Sequence, residues 1–331
     1  MIRSLLSLGR PIDPQAVLQL KRTMNTELTF RLPQTSDFDE ILKLSEGVYD
    51  GQDYLPIRFH NWMQMNNVAV MLAHSSEKLV GLVQCSVVDD GRTAVRQAAR
   101  TLTEFRGQGV YKRLSEAMNE FVRRQYPNIQ REIFASTACP SPAREITQMT
   151  IIRTSAVNKK LFALRSIKVN FSDLIEPCTK EYLCDTIFSS PVAQKLFLDN
   201  PIVLDWIPME ASQSNIDHFQ HELGQDFYFA VDKCGEDGIP RSVSFGALSP
   251  RVGCTDWTVT IYTSDPSLYE AQVTHQLQHA FNVIEGDFFI SFIQDKRLSN
   301  RGRRLLREYL PQVEFDKAWS TFFLCENMIQ S

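Results

Sequence analysis

The 331-residue chain has no C-x-x-C pair, no H-E-x-x-H segment and no uninterrupted apolar run long enough to span a bilayer. The first two absences argue against a zinc ribbon or a zincin site, so no metal is expected. The third gives no reason to expect a membrane partner. A basic surplus is also missing: 35 Lys and Arg stand against 39 Asp and Glu, for a net charge of -4. Nucleic-acid binders ordinarily carry excess base, so nucleic acid is not expected either. The seven cysteines are odd in number, which argues against a disulfide framework and for a reducing compartment.

What remains is ordinary globular composition, 43% hydrophobic and 22% charged, at a length suited to two domains. The opening "MIRSLLSLGRP" holds Arg3 and Arg10 and no acid before Asp13. That is a faint mitochondrial-presequence pattern. Residues 1–26 are read as an extension, with Met24 as an alternative start. The cytoplasm is the expected location and the mitochondrion the alternative.

Leu28, Phe30 and Leu32 alternate with polar residues, as a half-buried strand requires. Two helices should follow, broken by "GVYDGQDYLP" at 47–56, and then three strands, at "VAVMLAH", "LVGLVQCSVVD" and "TAVRQAARTLTEF". Val110, Leu114, Met118, Phe121 and Val122 mark the next helix. A strand is expected at "EIFAST", a short helix at "SPAREITQM" and extended chain at "LFALRSIKVNF". The second half repeats this order: helices over 180–198 and 215–223, strands at "DFYFAVD", "SVSFGALSP" and "WTVTIYTS", a helix over 266–283, strand "FFISFIQ", helix "NRGRRLLREYL" and strand "STFFLCE". The boundary is placed within 171–177, giving units at 27–172 and 173–331.

"FRGQGVYKRL", residues 105–114, joins the third strand to the next helix. A helix N-terminus presents unpaired N–H groups and the positive end of a dipole. Glycines in front let the backbone approach a phosphate closely. A lone G-x-G also suits a plain tight turn, so the loop needs its context. Where the first half has Arg106-Gly107-Gln108-Gly109, the second has Ser264-Asp265-Pro266-Ser267.

Arg106-Gly107-Gln108-Gly109-Val110-Tyr111 resembles the R/Q-x-x-G-x-G/A acetyl-CoA motif of the GNAT acyltransferases, and the strand order before it is that of the family. Tyr111 departs from the small residue usual at the last position. "YDGQDYLPIRFHNWM" and "RQYPNIQ" resemble a two-domain, histidine-acetylating branch of that family, with the likeness fading in the second half. The resemblance implies an α+β fold of tandem GNAT-like domains, each a mostly antiparallel sheet flanked by helices, the second degenerate. It implies direct transfer of acetyl from acetyl-CoA to the α-amine of a free amino acid, with histidine as the candidate. Leu102 and Thr103 would bond the pantetheine arm through their backbone. The N–H groups of Arg106, Gly107, Gln108, Gly109, Val110 and Tyr111 would hold the pyrophosphate. No partner beyond the small-molecule amine is expected, and the oligomeric state is left open.

For catalysis, relatives carry Glu at the position aligned with Gln97, and an amide takes no proton at neutral pH. Glu104 or Asp53 could serve as base instead, or water could suffice. Arg100, ahead of Arg96 and Arg58, is the candidate for a substrate carboxylate, since an arginine fork matches two oxygens. Asp53 and Tyr54 either line the amine pocket, Tyr54 with a catalytic hydroxyl, or serve the turn they sit in. Ser136, Thr137 and Tyr111 are candidates for the acid that protonates the leaving thiolate. Cys139 could carry an acyl group but is better read as a packing residue. The pairs His218/His221 and His275/His279 read as polar helix positions. The competing function is a GNAT-fold module that binds acetyl-CoA or a protein without catalysis.

Overall fold

Apolar alternation at Leu28 and Phe30 builds strand β1 (Leu28–Arg31), the edge of a twelve-stranded sheet. The computed structural model describes residues 27–140, 142–158, 174–191, 193–197, 201–223, 227–233, 239–317 and 319–327. The expected extension at 1–26, the extended chain at 161–171 and the start of the boundary segment lie outside the described residues.

After β1 come helices α1 (Phe38–Ser45) and α2 (Leu55–Trp62). Strands β2 (Val68–Ser75), β3 (Lys78–Val88) and β4 (Thr93–Thr101) then pair antiparallel in turn. Helix α3 (Val110–Gln125) leads to β5 (Arg131–Ser136) and β6 (Arg144–Arg153). The second half opens with β7 (Ile175–Cys178), a hairpin of β8 (Ile202–Leu204) and β9 (Ile207–Met209), and helix α4 (Gln213–Leu223). Strands β10 (Phe227–Asp232), β11 (Val243–Arg251) and β12 (Cys254–Tyr262) are again antiparallel. Helix α5 (Pro266–Val283), β13 (Phe289–Gln294), α6 (Ser299–Tyr309) and β14 (Thr321–Asn327) complete it.

The two halves share one order of strands and helices, to which the second adds the β8–β9 hairpin and α6. Each has a parallel pair across its central helix, β4 with β5 across α3 and β12 with β13 across α5. Their last strands are exchanged. The sheet order is β1-β2-β3-β4-β5-β14-β6-β13-β12-β11-β10-β7, so β14 pairs with β5 and β6 pairs with β13. Each half therefore completes its sheet with a strand from the other.

Apolar stripes explain the layers. Val110, Leu114, Met118 and Val122 of α3 pack on one face of the first-half sheet. Ile41, Leu44, Leu55, Phe59 and Trp62 of α1 and α2 cover the other. Helices α5 and α6 cover β12 and β13 in the same way. Among the described residues no helix is long and apolar enough to cross a membrane.

One expectation needs correction, one is refined, and one element was not foreseen. The short helix at "SPAREITQM" is instead the start of β6, which lies between β14 and β13. The β-branched run Ile146, Thr147, Thr150, Ile151 and Ile152 suits that place better than a helix. The helical stretch expected over 180–198 is present as a continuous helical segment, Lys180–Tyr182 running into Leu183–Phe188, and a separate turn at Ala193–Phe197, with Pro191 in the gap. The β8–β9 hairpin was not foreseen, because its two-residue turn is Asp205-Trp206 and contains no glycine.

Exchange of β14 makes the halves one cooperative unit. Leu324, fully buried on β14 against both β5 and β6, should cost about 3 kcal/mol when cut to alanine. Calorimetry of Leu324→Ala and the wild type should show one transition in each case. Two separated transitions would contradict the shared sheet.

Candidate active site

Parallel pairing of β4 with β5 lasts only from Thr93–Arg131 to Val95–Ile133. Beyond it the strands part, although β4 continues to Thr101 and β5 to Ser136. A bulge in β4 accompanies the parting: Gln84 pairs with Gln97 and Leu82 with Arg100, so Ala98 and Ala99 face the single residue Val83. Ala98 sits at φ +49°, a left-handed conformation that costs a side-chain-bearing residue about 1–2 kcal/mol. Its N–H donates to the Tyr54 hydroxyl at 3.1 Å. The predicted catalytic tyrosine thus pins the bulge.

The gap is a cavity of about 530 Å³. Tyr54, Gln97, Arg100, Tyr111, Ser136 and Thr137, all singled out from sequence, line it. So do Arg58 and Arg96. Asp53 stands directly behind: its two carboxylate oxygens accept from Arg100 Nη2 and Nε at 2.7 and 3.0 Å. The third Arg100 nitrogen donates to the Ala99 carbonyl at 3.0 Å. The two predicted substrate-binding residues therefore hold each other, and the Arg100 fork is closed. Asp53 also accepts the Leu55 N–H at 3.2 Å, opening α2.

Glu104 lies elsewhere. It does not line the cavity, its side chain is more than half exposed, and it accepts from Lys78 Nζ at 2.7 Å. That bond holds its carboxyl below the usual range, which weakens it as a base. The one carboxylate on the cavity wall, among the described residues, is Asp205, buried and paired with Arg58. The Gln97 carbonyl oxygen is buried without a hydrogen-bond partner. Cys139 does not line the cavity; its sulfur contacts the Ala143 carbonyl at 3.7 Å.

The glycine loop leads into the first turn of α3, where Tyr111 lines the same space. Gly107 and Gly109 have φ of +76° and +75°, so both need the left-handed freedom of glycine. Gln108 Nε2 donates to the Glu104 carbonyl at 2.7 Å and Arg106 Nε to the Thr101 carbonyl at 3.2 Å. These side chains brace the loop from within. The carbonyls of Leu102 and Thr103 already accept the N–H groups of Phe105 and Arg106, at 2.9 and 3.3 Å. No side chain caps the N-terminus of α3, and its first turn carries no acid. Val110 is buried in the core, whereas Tyr111 is half exposed and faces the cavity.

The matching junction of the second half is closed. Asp265 caps α5, accepting the N–H groups of Ser267 and Leu268 at 2.7 and 3.2 Å. A protein carboxylate thus occupies the position where an anion would otherwise bind.

The second half instead supplies one wall of the cavity. Asp205, Trp206, Ser249, Arg251 and Trp319 were missed by sequence reasoning and all line it. Trp206 packs on Trp319 with centroids 5.2 Å apart, and Trp319 on Tyr49 at 5.4 Å. Burial, with the neighbouring Tyr54, pushes the Tyr49 phenol above its ordinary range. The available signal was "IVLDWIPM", two apolar triplets around a two-residue turn. The histidine pairs stay out of the site. His275 bonds the Tyr228 hydroxyl at 2.6 Å, and His279 stacks on that ring. Burial lowers His279 to about 4. Asn67 bonds His218, and the His221 side chain lies outside the described residues. Among the described residues no cluster of three His, Cys, Asp or Glu is placed to hold a metal.

Comparison with known proteins bears on this geometry. A family model described as histidine N-acetyltransferase, C-terminal, matches residues 172–295. The likeness therefore reaches into the second half, where reading by eye lost it. Histidine N-acetyltransferase of Oreochromis niloticus is 26% identical over 313 residues, spanning 88% of this chain and 89% of that protein. That of Scomber australasicus is 24% identical over the same spans. Among solved structures, a tandem GNAT protein from the clavulanic acid biosynthesis pathway is similar with a TM-score of 0.57. It is 10% identical, covering 92% of this chain and 100% of that one. A GCN5-related N-acetyltransferase from Sphaerobacter thermophilus gives 0.52, with 10% identity and coverage of 92% and 96%. These structures speak for the fold alone.

Asp53→Ala would leave the Arg100 guanidinium buried beside its partner's vacant place. Breaking a buried pair from one side costs about 3–5 kcal/mol. Denaturant unfolding should show a loss of that size, and a loss under 1 kcal/mol would mean the pair does not hold the wall.

Proposed function

As a member of the GNAT acetyltransferase family and a paralogue of histidine N-acetyltransferase, this chain is an N-acetyltransferase, and we propose that it uses acetyl-CoA to acetylate the α-amine of a free amino acid, histidine foremost. The observation that carries the reading is the continuity of two features. The uncapped N-terminus of α3 and the aromatic, arginine-rich wall meet at one cavity, through Tyr111. We place the working unit at 27–172 and the wall-forming unit at 173–331.

The loop fits a diphosphate. Its open helix N-terminus offers N–H donors and the positive dipole end, and nothing lies within 4 Å of the positions that Cβ atoms would take on Gly107 and Gly109. Arg106, Gly107, Gln108, Gly109, Val110 and Tyr111 would hold that group, with Leu102 and Thr103 beside the arm. When bound, acetyl-CoA supplies an activated thioester carbonyl.

The chain's own residues do the rest. Parting of β4 from β5 gives the opening in which thioester and amine can meet. Asp205, Glu132 and Asp53 offset three of the four wall guanidiniums, which leaves Arg251 as the excess positive charge that disfavours an ammonium. The free Gln97 carbonyl oxygen is placed to accept an N–H of that amine and aim its lone pair. With Glu104 outside the cavity and Asp53 and Asp205 each paired with arginine, no carboxylate base is needed, and water takes the proton. Ser136, Thr137, Tyr111 and Tyr54 are the wall hydroxyls available to the departing thiolate.

Mass spectrometry of a free amino-acid panel with acetyl-CoA should show α-N-acetylated product. No product from any amino acid would overturn the substrate class. Gly109→Asp places a carboxylate against the phosphates and should lower kcat/KM for acetyl-CoA on the order of 100- to 1000-fold; retained activity would show that the loop holds no diphosphate. Without a carboxylate base, kcat/KM for the amine should climb steadily between about pH 6 and 8. A plateau already reached near pH 5 would reveal a carboxylate base instead.

A further inference from the structure

Four arginines face the cavity, and three are hydrogen-bonded by the protein. Arg58 donates to Asp205 and to the Ser249 hydroxyl, Arg96 to Asn119 and Glu132, and Arg100 to Asp53. Arg58 and Arg96 also leave buried donors open, Nε of each and Nη1 of Arg96, but a carboxylate holds each guanidinium. Arg251, at the end of β11, differs in having no such bond. It is only 7% exposed, and its guanidinium makes no hydrogen bond to any described residue. The nearest carboxylate oxygen, Asp256 Oδ2, is 3.6 Å from Nε. That oxygen already accepts from Arg153 Nε at 3.2 Å and from the Ser291 hydroxyl at 3.3 Å.

Packing fixes the plane of this unbonded group. Its carbon lies 5.7 Å from the Tyr54 ring centroid and 6.0 Å from that of Tyr49. A buried guanidinium with open donors is costly, and an anion that fits its fork relieves the cost. Beside it, the Asp205-Trp206 turn holds both residues at positive φ, +43° and +70°. Backbone strain of that kind is found where a site must be shaped.

We propose that Arg251, supplied by the second half, binds the α-carboxylate of the amino-acid substrate. The assignment rests on the reading of the cavity as an amino-acid acetyltransferase site. It makes the half without a cofactor loop the source of selectivity for free amino acids. Peptide N-termini and decarboxylated amines bring no carboxylate to this fork and are poorer substrates.

The test compares an amino acid with its own α-amide. Wild-type enzyme should prefer histidine to histidinamide in kcat/KM. Arg251→Gln should lower that ratio roughly 10- to 100-fold, the strength of hydrogen bonds between charged groups. Arg251→Lys keeps the charge but loses the fork and should fall between. If the glutamine variant fails to fold, the lysine variant is judged by the same ratio. A ratio unchanged by substitution overturns the assignment while leaving the amino-acid reading intact. A wild type that acetylates neither compound, nor any other amino acid, overturns the amino-acid reading and this assignment with it.

Discussion

The cavity proposed as the active site depends on β4 leaving β5. Their pairing stops at Val95 and Ile133, and the space beyond is the cavity. A sheet does not open in this way without local cause. Here the cause is a bulge that places two β4 residues opposite one of β3, with Ala98 in a left-handed conformation. The Tyr54 hydroxyl holds that residue's N–H. Tyr54 in turn lies under the guanidiniums of Arg58, Arg100 and Arg251, between 5.0 and 5.7 Å from their carbons. One tyrosine thus couples the shape of the strand to the charge of the wall.

The opened edge of the first half is then closed by the second. Strand β14 pairs on the far side of β5, and β6 pairs with β13. The exchange fixes the two halves to one another and sets the β8–β9 turn, the end of β11 and Trp319 against the cavity. The two halves differ most plainly at the N-termini of their central helices. Gly109 leaves that of α3 open, and Asp265 fills that of α5 with its own carboxylate. The proposed diphosphate cradle and the self-capped junction thus differ by the glycines of one and the carboxylate of the other.

Much of this was legible in the sequence, for definite reasons. Val110, Leu114, Met118 and Val122 recur at helical spacing, and the glycines stand at the strand-to-helix junction, so α3 and its loop follow from local pattern. The Asp265 junction was readable as the missing glycines of the second half. What escaped reading was tertiary. In "SPAREITQM" the local strand signal is weak, Ile146 and Thr147 alone, and the partners that settle it, β14 and β13, come from far along the chain. Asp53 and Arg100 looked like two substrate ligands, since their 47-residue separation hid the fact that they pair with each other. Arg251 stands at the end of an ordinary strand and gains its meaning only where the second half meets the first.

The central claim is that the open N-terminus of α3 holds the coenzyme, one molecule per chain. Isothermal titration of the full chain with coenzyme A tests it most directly. The account predicts one site per chain, lost in the Gly109→Asp variant. Two sites per chain would contradict the closing of α5 by Asp265, and no site would contradict the open α3 cradle itself.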